Sequence, residues 1–206
     1  QKEMMNKIIC LAFILFLISC DKKDDIINPN VSPIGNEELI DATSYTNWKY
    51  YRFTDSTLQE LIFFFGDPEN NLNWDIAFQR NHIKTNSGTS GIGEAGAYMD
   101  SSSIWDGSTF NNFSDDVTDY NFLQDTLVNT FYDLQTHTFT EGSTNPVLDT
   151  WGIIDTLNNY TMNISNSKYI VRSANGDKFY KLWVYDYYSE NSQSGYVSLI
   201  FNTISQ

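Results

Sequence analysis

The sequence predicts a mostly β domain of antiparallel strands with few short helices. Three features point there. Aromatic side chains make up 16% of the 206 residues and apolar side chains 41%, enough to fill a core and to argue against disorder. The apolar residues recur at a period of two or in short continuous runs, without a sustained 3.6-residue period. An Asn-Gly pair stands between two such runs, the strongest short-range hairpin signal, because both central residues tolerate positive φ.

In chain order, Asn47 to Phe53 (NWKYYRF) is aromatic and extended in character. Trp74 to Phe78 alternates Trp74, Ile76 and Phe78 on one face with Asp75, Ala77 and Gln79 on the other. A helical turn is expected within residues 147–157. Tyr169 to Arg172 and Phe179 to Tyr185 flank Asn175-Gly176-Asp177 as the two arms of a hairpin. Tyr196 to Phe201 reads as the last strand, after a turn near Ser194-Gly195.

The first twenty residues are of another kind. Met4 to Cys20 reads MMNKIICLAFILFLISC: Lys7 is a short positive n-region, and Ile8 to Ile18 is an apolar run too short to span a bilayer. Leu17-Ile18-Ser19-Cys20 resembles a bacterial lipobox, so residues 1–19 are expected to be a signal peptide and Cys20 the lipidated residue. Attached acyl chains hold stably because each buried CH₂ adds roughly 0.8 kcal/mol. Asp21-Lys22-Lys23-Asp24-Asp25 resembles the surface-export signal of Bacteroidota lipoproteins. Residues 20–43 are then the lipidated cysteine and a flexible Pro/Asn/Ser-rich tether, and residues 44–206 the β domain. With Cys10 in the leader and Cys20 in the anchor, the domain holds no thiol and no disulfide. The expected location is the outer membrane, lipid-anchored at the cell surface or shed from it.

The formal net charge is −14, which excludes nucleic acid as a partner and opposes electrostatic docking onto anionic lipid. Gly91-Ile92-Gly93-Glu94-Ala95-Gly96 matches the G-x-G-x-x-G dinucleotide fingerprint letter for letter. Its context does not: no helix-forming sequence follows Gly96, and no βαβ unit surrounds it. The glycines read instead as a turn-rich loop where side chains would obstruct close packing. No Ser-His-Asp spacing, paired-carboxylate motif or metal-hydrolase signature is present, so no enzyme is expected.

Two blocks carry a resemblance. One is Trp74-Asp75-Ile76-Ala77-Phe78-x-Arg80 with Lys84-Thr85-Asn86-Ser87-Gly88-Thr89-Ser90-Gly91 and Gly96-Ala97. The other is Asn145-Pro146-Val147-Leu148-x-x-Trp151 with Tyr169 to Gly176, Lys181-Leu182 and Tyr187-Tyr188. From about Tyr45 to Phe201 the chain resembles the HmuY-like family of Bacteroidota lipoproteins. The resemblance implies antiparallel sheets of the HmuY-like type and a haemophore role: haem (iron protoporphyrin IX) taken from host haemoproteins and passed to a TonB-dependent outer-membrane receptor. It also implies haem seated between loops or hairpins, its iron held by two axial histidines or methionines.

Iron in such a site asks for an imidazole or thioether on each face and apolar walls for the ring. The domain offers His82, His137, Met99 and Met162. His137 and Met162 lie in polar, loop-like stretches in the half of the chain where the family places its ligands, and they are the expected metal pair. Met99 is the next candidate. Tyr132, Phe139, Trp151 and Tyr160 stand where they would line the ring. His82, between Arg80 and Lys84, reads as a polar edge position. Trp74, Asp75, Arg80 and Asn86 read as structural, with Arg80 satisfied by Asp75 or by backbone carbonyls. The competing expectation is a structural or adhesive surface β-module that has kept the fold and lost haem binding.

Overall fold

The computed structural model describes residues 31–63 and 67–206. The expected signal peptide and the lipidated Cys20 lie outside the described residues. Among those described, a five-stranded antiparallel sheet runs in the order β1 (Asn36–Asp41), β13 (Ser194–Ile204), β12 (Phe179–Tyr188), β11 (Ser167–Arg172), β6 (Gly96–Ile104). A four-stranded sheet runs β3 (Leu58–Leu61), β2 (Lys49–Phe53), β4 (Ile76–Gln79), β5 (His82–Thr85). Two further hairpins stand apart: β7 (Thr126–Asp133) with β8 (Thr138–Thr144), and β9 (Gly152–Asp155) with β10 (Thr161–Ile164).

The two sheets pack face to face over one apolar core. Tyr51, Phe53, Ile76 and Phe78 from the smaller sheet meet Tyr180, Leu182, Val197, Leu199 and Phe201 from the larger. Phe53 stacks on Tyr180 with ring centroids 4.1 Å apart. The outer face of the larger sheet is covered as well. Ile170, Trp183 and Ile200 pack there against Trp105, Val117, Phe122 and Phe110, the last on the short helix α1 (Gly107–Asn111). A sheet buried on both faces needs apolar residues at every position, which is why residues 179–185 form a nearly unbroken apolar run. Each buried indole still finds an acceptor: Trp105 Nε1 donates to the Leu182 carbonyl (2.8 Å) and Trp183 Nε1 to Asn166 Oδ1 (2.9 Å).

The hairpin at Asn175-Gly176 forms as expected, joining β11 to β12 with Gly176 at φ 77°. Two expectations are corrected and a third, the helical turn, is borne out in a shorter form. Residues Asn36–Asp41, expected in the tether, pair with β13 as the edge strand β1, so the ordered domain begins before residue 44. The alternation of Glu37, Leu39 and Asp41 outward with Glu38 and Ile40 inward has only one buried face, too short a pattern to stand out in polar sequence. The helical turn expected in residues 147–157 is a 3-10 turn at Leu148–Thr150, followed directly by β9. Met162, expected in a loop, lies in the middle of β10.

The glycine fingerprint is a packing device. It leads into β6, not into a helix. Asn86, fully buried, donates from Nδ2 to the Asn71 and Trp74 carbonyls (2.7 and 2.8 Å) and accepts from the Gly93 amide (3.2 Å). A Cβ at Gly91 would run into the Asn86 carboxamide, and one at Gly93 into the Asn86 carbonyl. Gly91→Ala is therefore expected to destabilise by about 2–3 kcal/mol, the usual range for overpacking a site with no room to relax; chemical unfolding measures it.

Candidate functional site

The segment Asn145–Trp151 separates the two protruding hairpins, so both root on it. Its polar groups form a buried knot. Asn145 Nδ2 donates to Asp125 Oδ1 (3.0 Å) and to the Leu123 carbonyl (2.9 Å), while Asn145 Oδ1 accepts from the Val147 and Leu148 amides. Asp125 also accepts from the Thr85 amide (2.8 Å) and hydroxyl (2.6 Å). This joins the start of β7 and the end of β8 to β5. Burial pushes the Asp125 carboxyl up to about 6, against the pull of the Thr85 and Asn145 hydrogen bonds.

His82, expected at a polar edge, is buried. Its Nδ1 lies 3.0 Å from Asp149 Oδ1, and its ring stacks on Phe131 of β7 at 4.0 Å. Phe131 in turn packs on Trp48 at 5.9 Å. A Cβ at Gly142 would strike the Phe131 ring, so the glycine lets this side chain cross the hairpin to its sandwich. His82 thus serves as an anchor for hairpin β7–β8, buried because it has both a carboxylate partner and a ring to cover. Arg80 donates to the Thr43 and Ser194 carbonyls (3.2 Å each) and stacks over Tyr45 at 4.4 Å. It donates to the Ser194 hydroxyl as well (3.0 Å), and Asp75 instead accepts from the Phe53 and Ala174 amides.

His137 sits exposed in the turn of hairpin β7–β8, in the left-handed region at φ 54°. Asp133 shapes this turn by accepting from the Gln135 amide (2.7 Å) while its carbonyl accepts from the His137 amide (2.9 Å). His137 Nδ1 is 3.0 Å from the Tyr132 hydroxyl. In the tautomer whose Nδ1–H donates to that oxygen, Nε2 keeps the lone pair a metal-binding imidazole needs. Tyr132 packs edge-on against Phe139 at 5.6 Å.

Hairpin β9–β10 also leaves apolar surface uncovered. Ile153 and Ile154 are exposed, Leu157 is 97% exposed and Tyr160 72%. Met162 faces away from Ile153, on the face it shares with its ladder partner Ile154. It is 8% exposed, belongs to the inter-sheet core, and a Cβ at Gly152 would strike its sulfur. Met99 on β6 packs against the same core, and its sulfur accepts from Thr150 Oγ1 at 3.6 Å. The fold therefore brings Met99 and Met162 to the roots of the hairpins, beside Thr150 and Gly152. It does not bring His137 into contact with either: Thr144, at the root, lies seven positions along the chain from His137, a path of roughly 23 Å along an extended strand.

What the sequence did not disclose is how much apolar surface the hairpins leave in water. Leu127, Leu134 and Phe139 on one and Ile153, Leu157 and Tyr160 on the other are exposed. The turn-forming sequence around Asp133 and Asp155 was the available signal. Among the described residues no cluster of His, Cys, Asp and Glu is arranged to hold a bare metal ion, and no helix is long and apolar enough to cross a membrane.

Comparisons with known proteins converge on one family. The family model for HmuY protein matches residues 44–201. The fold is similar to the apo HmuY analog of Tannerella forsythia (TM-score 0.57, 17% identity, 86% of this chain and 100% of that one). It is similar also to a candidate HmuY-like heme binding protein from Bacteroides vulgatus (0.61, 19%, 83% and 96%). A candidate lipoprotein from Bacteroides fragilis matches as well (0.61, 19%, 82% and 91%). At these identities the likeness is one of fold. No curated protein matches the chain.

Proposed function

The chain belongs to the HmuY family, and from that premise we propose that it binds haem between hairpins β7–β8 and β9–β10 as a lipid-anchored haemophore of the outer membrane. One observation carries the reading. Two hairpins rooted on the same segment hold aromatic and aliphatic side chains in water, next to an exposed imidazole whose Nδ1 is already engaged. Exposed apolar surface of this kind marks a binding site, and a flat porphyrin suits it. Its iron supplies the bond that selects imidazole and thioether over other side chains.

His137 is the candidate for one face of the iron, and Met162, with Met99 next, for the other. Both sulfurs lie at the hairpin roots, so the two faces meet on one iron only when the turn of hairpin β7–β8 folds down onto those roots. Met162 reaches a ligand only by turning its thioether away from Gly152, which three rotatable bonds allow. Tyr132, Phe139 and Tyr160, all exposed, supply the walls, while Trp151, expected beside them, is fully buried in the inter-sheet core. His82 and Phe131 hold the first hairpin to the body. The cell-surface anchor is the lipidated Cys20. Haem taken from host haemoproteins passes on to a TonB-dependent receptor, and the protein performs no catalysis of its own. The similarity of the fold to a candidate heme binding protein and to a candidate lipoprotein supports both halves of the reading.

Titrating the purified full chain with haemin, oxidised and reduced, tests it through the Soret band. Saturable binding is expected, stronger on reduction because a thioether favours ferrous iron. His137→Ala is expected to weaken binding about a hundredfold, the scale on which metal sites respond to ligand-shell mutation, and Met162→Leu to abolish the redox preference. A redox preference that survives Met162→Leu and disappears in Met99→Leu moves the second ligand to Met99. No saturable shift in either state leaves a surface β-module that has lost the ligand.

A further inference from the structure

We propose that the chain has a second binding site, for a neutral saccharide ring, on the outer face of the five-stranded sheet. Successive residues of a strand point to opposite faces. Met99 faces the inter-sheet core, so its neighbours Tyr98 and Asp100 face outward. Across the ladder Tyr98 pairs with Ile170 and Asp100 with Lys168. These four side chains, with Phe113 and Tyr120 from the loop after α1, line an open pocket of about 300 Å³. The pocket and the hairpin site thus lie on opposite faces of one sheet, and neither depends on the other.

The lining chemistry alternates in the way a sugar does. The half-buried rings of Tyr98 and Tyr120 pack against each other at 4.3 Å with Ile170 at the floor, giving flat apolar faces of the kind that receive pyranose C–H groups. Around them stand carboxylates that accept hydroxyl hydrogens (Asp100, Asp115) and an ammonium that donates (Lys168). The Ser102 and Ser103 hydrogen bonds hold Asp100 below the ordinary carboxylate range, so it is an acceptor at neutral pH. Two carboxylates against one ammonium, on a chain of net charge −14, turn away phosphates and carboxylates. Lys168, set 5.3 Å from the Trp105 ring, opposes a cation. Asp100 already accepts from Ser102 and Ser103 and Asp115 from the Tyr120 hydroxyl, so a neutral polyhydroxylated ring would bond through their remaining lone pairs and through Lys168.

Saturation-transfer NMR and calorimetry of the full chain with glucose, galactose, mannose, N-acetylglucosamine and their β-linked disaccharides decide the matter. Saturable binding of at least one is expected, with Trp105 reporting through its fluorescence. Tyr120→Ala and Asp100→Asn are each expected to weaken it about tenfold, with haem titration unchanged in both. Thermal melting confirms that each variant is folded, and Asp100→Asn, at a half-buried position midway along β6, keeps the size of the side chain. No saturable binding of any sugar overturns the proposal. So does binding indifferent to both substitutions, or displacement of the sugar by tetramethylammonium at lower concentration.

Discussion

Trp151→Ala is expected to remove about 4–5 kcal/mol of folding stability, most of what a domain of this size holds. The indole is fully buried in the inter-sheet core and packs edge-on against Tyr187 with centroids 5.9 Å apart. Its Nε1 donates to the Asn81 carbonyl at 2.7 Å, and its own carbonyl accepts from the Ser165 amide at 2.9 Å. Truncation leaves a large cavity and an unpaired carbonyl, the second adding about 1 kcal/mol. Trp151→Phe keeps most of the volume and loses only the donor, so about 1–2 kcal/mol is expected there. Trp151 also sits between Thr150 and Gly152, the residues against which the Met99 and Met162 sulfurs rest. Haem affinity should fall in any temperature range where the alanine variant remains folded. Urea unfolding with far-UV dichroism gives the number. A loss under about 2 kcal/mol would show that the hairpin roots are held by something other than this indole.

The sandwich was legible in the sequence because its strands have buried faces to advertise. The aromatic run of β2, the alternation of β4 and the apolar run of β12 each state how many faces are covered, and Asn175-Gly176 states the turn. The hairpins β7–β8 and β9–β10 were not legible for the converse reason. Residues 126–133 are mostly exposed on both faces, so nothing selects a period of two, and Thr, Asn and Asp there read as loop. The same cause hid the orientation of Met162. A lone apolar residue in a polar stretch does not disclose whether it faces a ligand or a core until the partner strand is placed. His82 misled in the opposite direction. Between Arg80 and Lys84 it suggested a wet edge, yet Asp149 and Phe131, both distant in sequence, are what make its burial tolerable. The Asn145-Pro146 motif did mark the segment on which both hairpins root.

Stability plotted against pH is expected to pass through a trough between about 6 and about 8, where Asp125 and Lys84 are both charged beneath the surface. Burial raises the Asp125 carboxyl to about 6 from an ordinary 3.8. The folded chain then binds more protons than the unfolded chain across that interval, so stability present at low pH is lost as pH rises through 6, by about 3 kcal/mol. Buried Asp75 is raised by the same cause and acts with the same sign. Lys84 is buried beneath Trp48, Tyr50 and Trp74, its Nζ 4.5 Å from the Trp48 ring centroid. That burial lowers it to about 8 from 10.5, although Asp125, Glu69 and Asp67 oppose the shift. Between those values the folded chain binds fewer protons, so stability rises again with pH by a similar amount. Buried Lys181, also lowered, reinforces this limb. Two opposing contributions fall outside the window. Asp41 and Asp100, held low by threonine and serine hydrogen bonds, lose their stabilisation only below the ordinary carboxylate value. Buried Tyr50, raised to about 12, loses its own only above 10. Urea midpoints should therefore be lower near pH 7 than near pH 5 or pH 9, with Asp125→Asn flattening the acid limb and Lys84→Met the alkaline one. A curve that rises or falls steadily across that range would mean both charges are better solvated than their burial implies. Because Asp125 clamps the root of hairpin β7–β8 through Thr85 and Asn145, the trough marks the pH at which that hairpin is least firmly tied to the body.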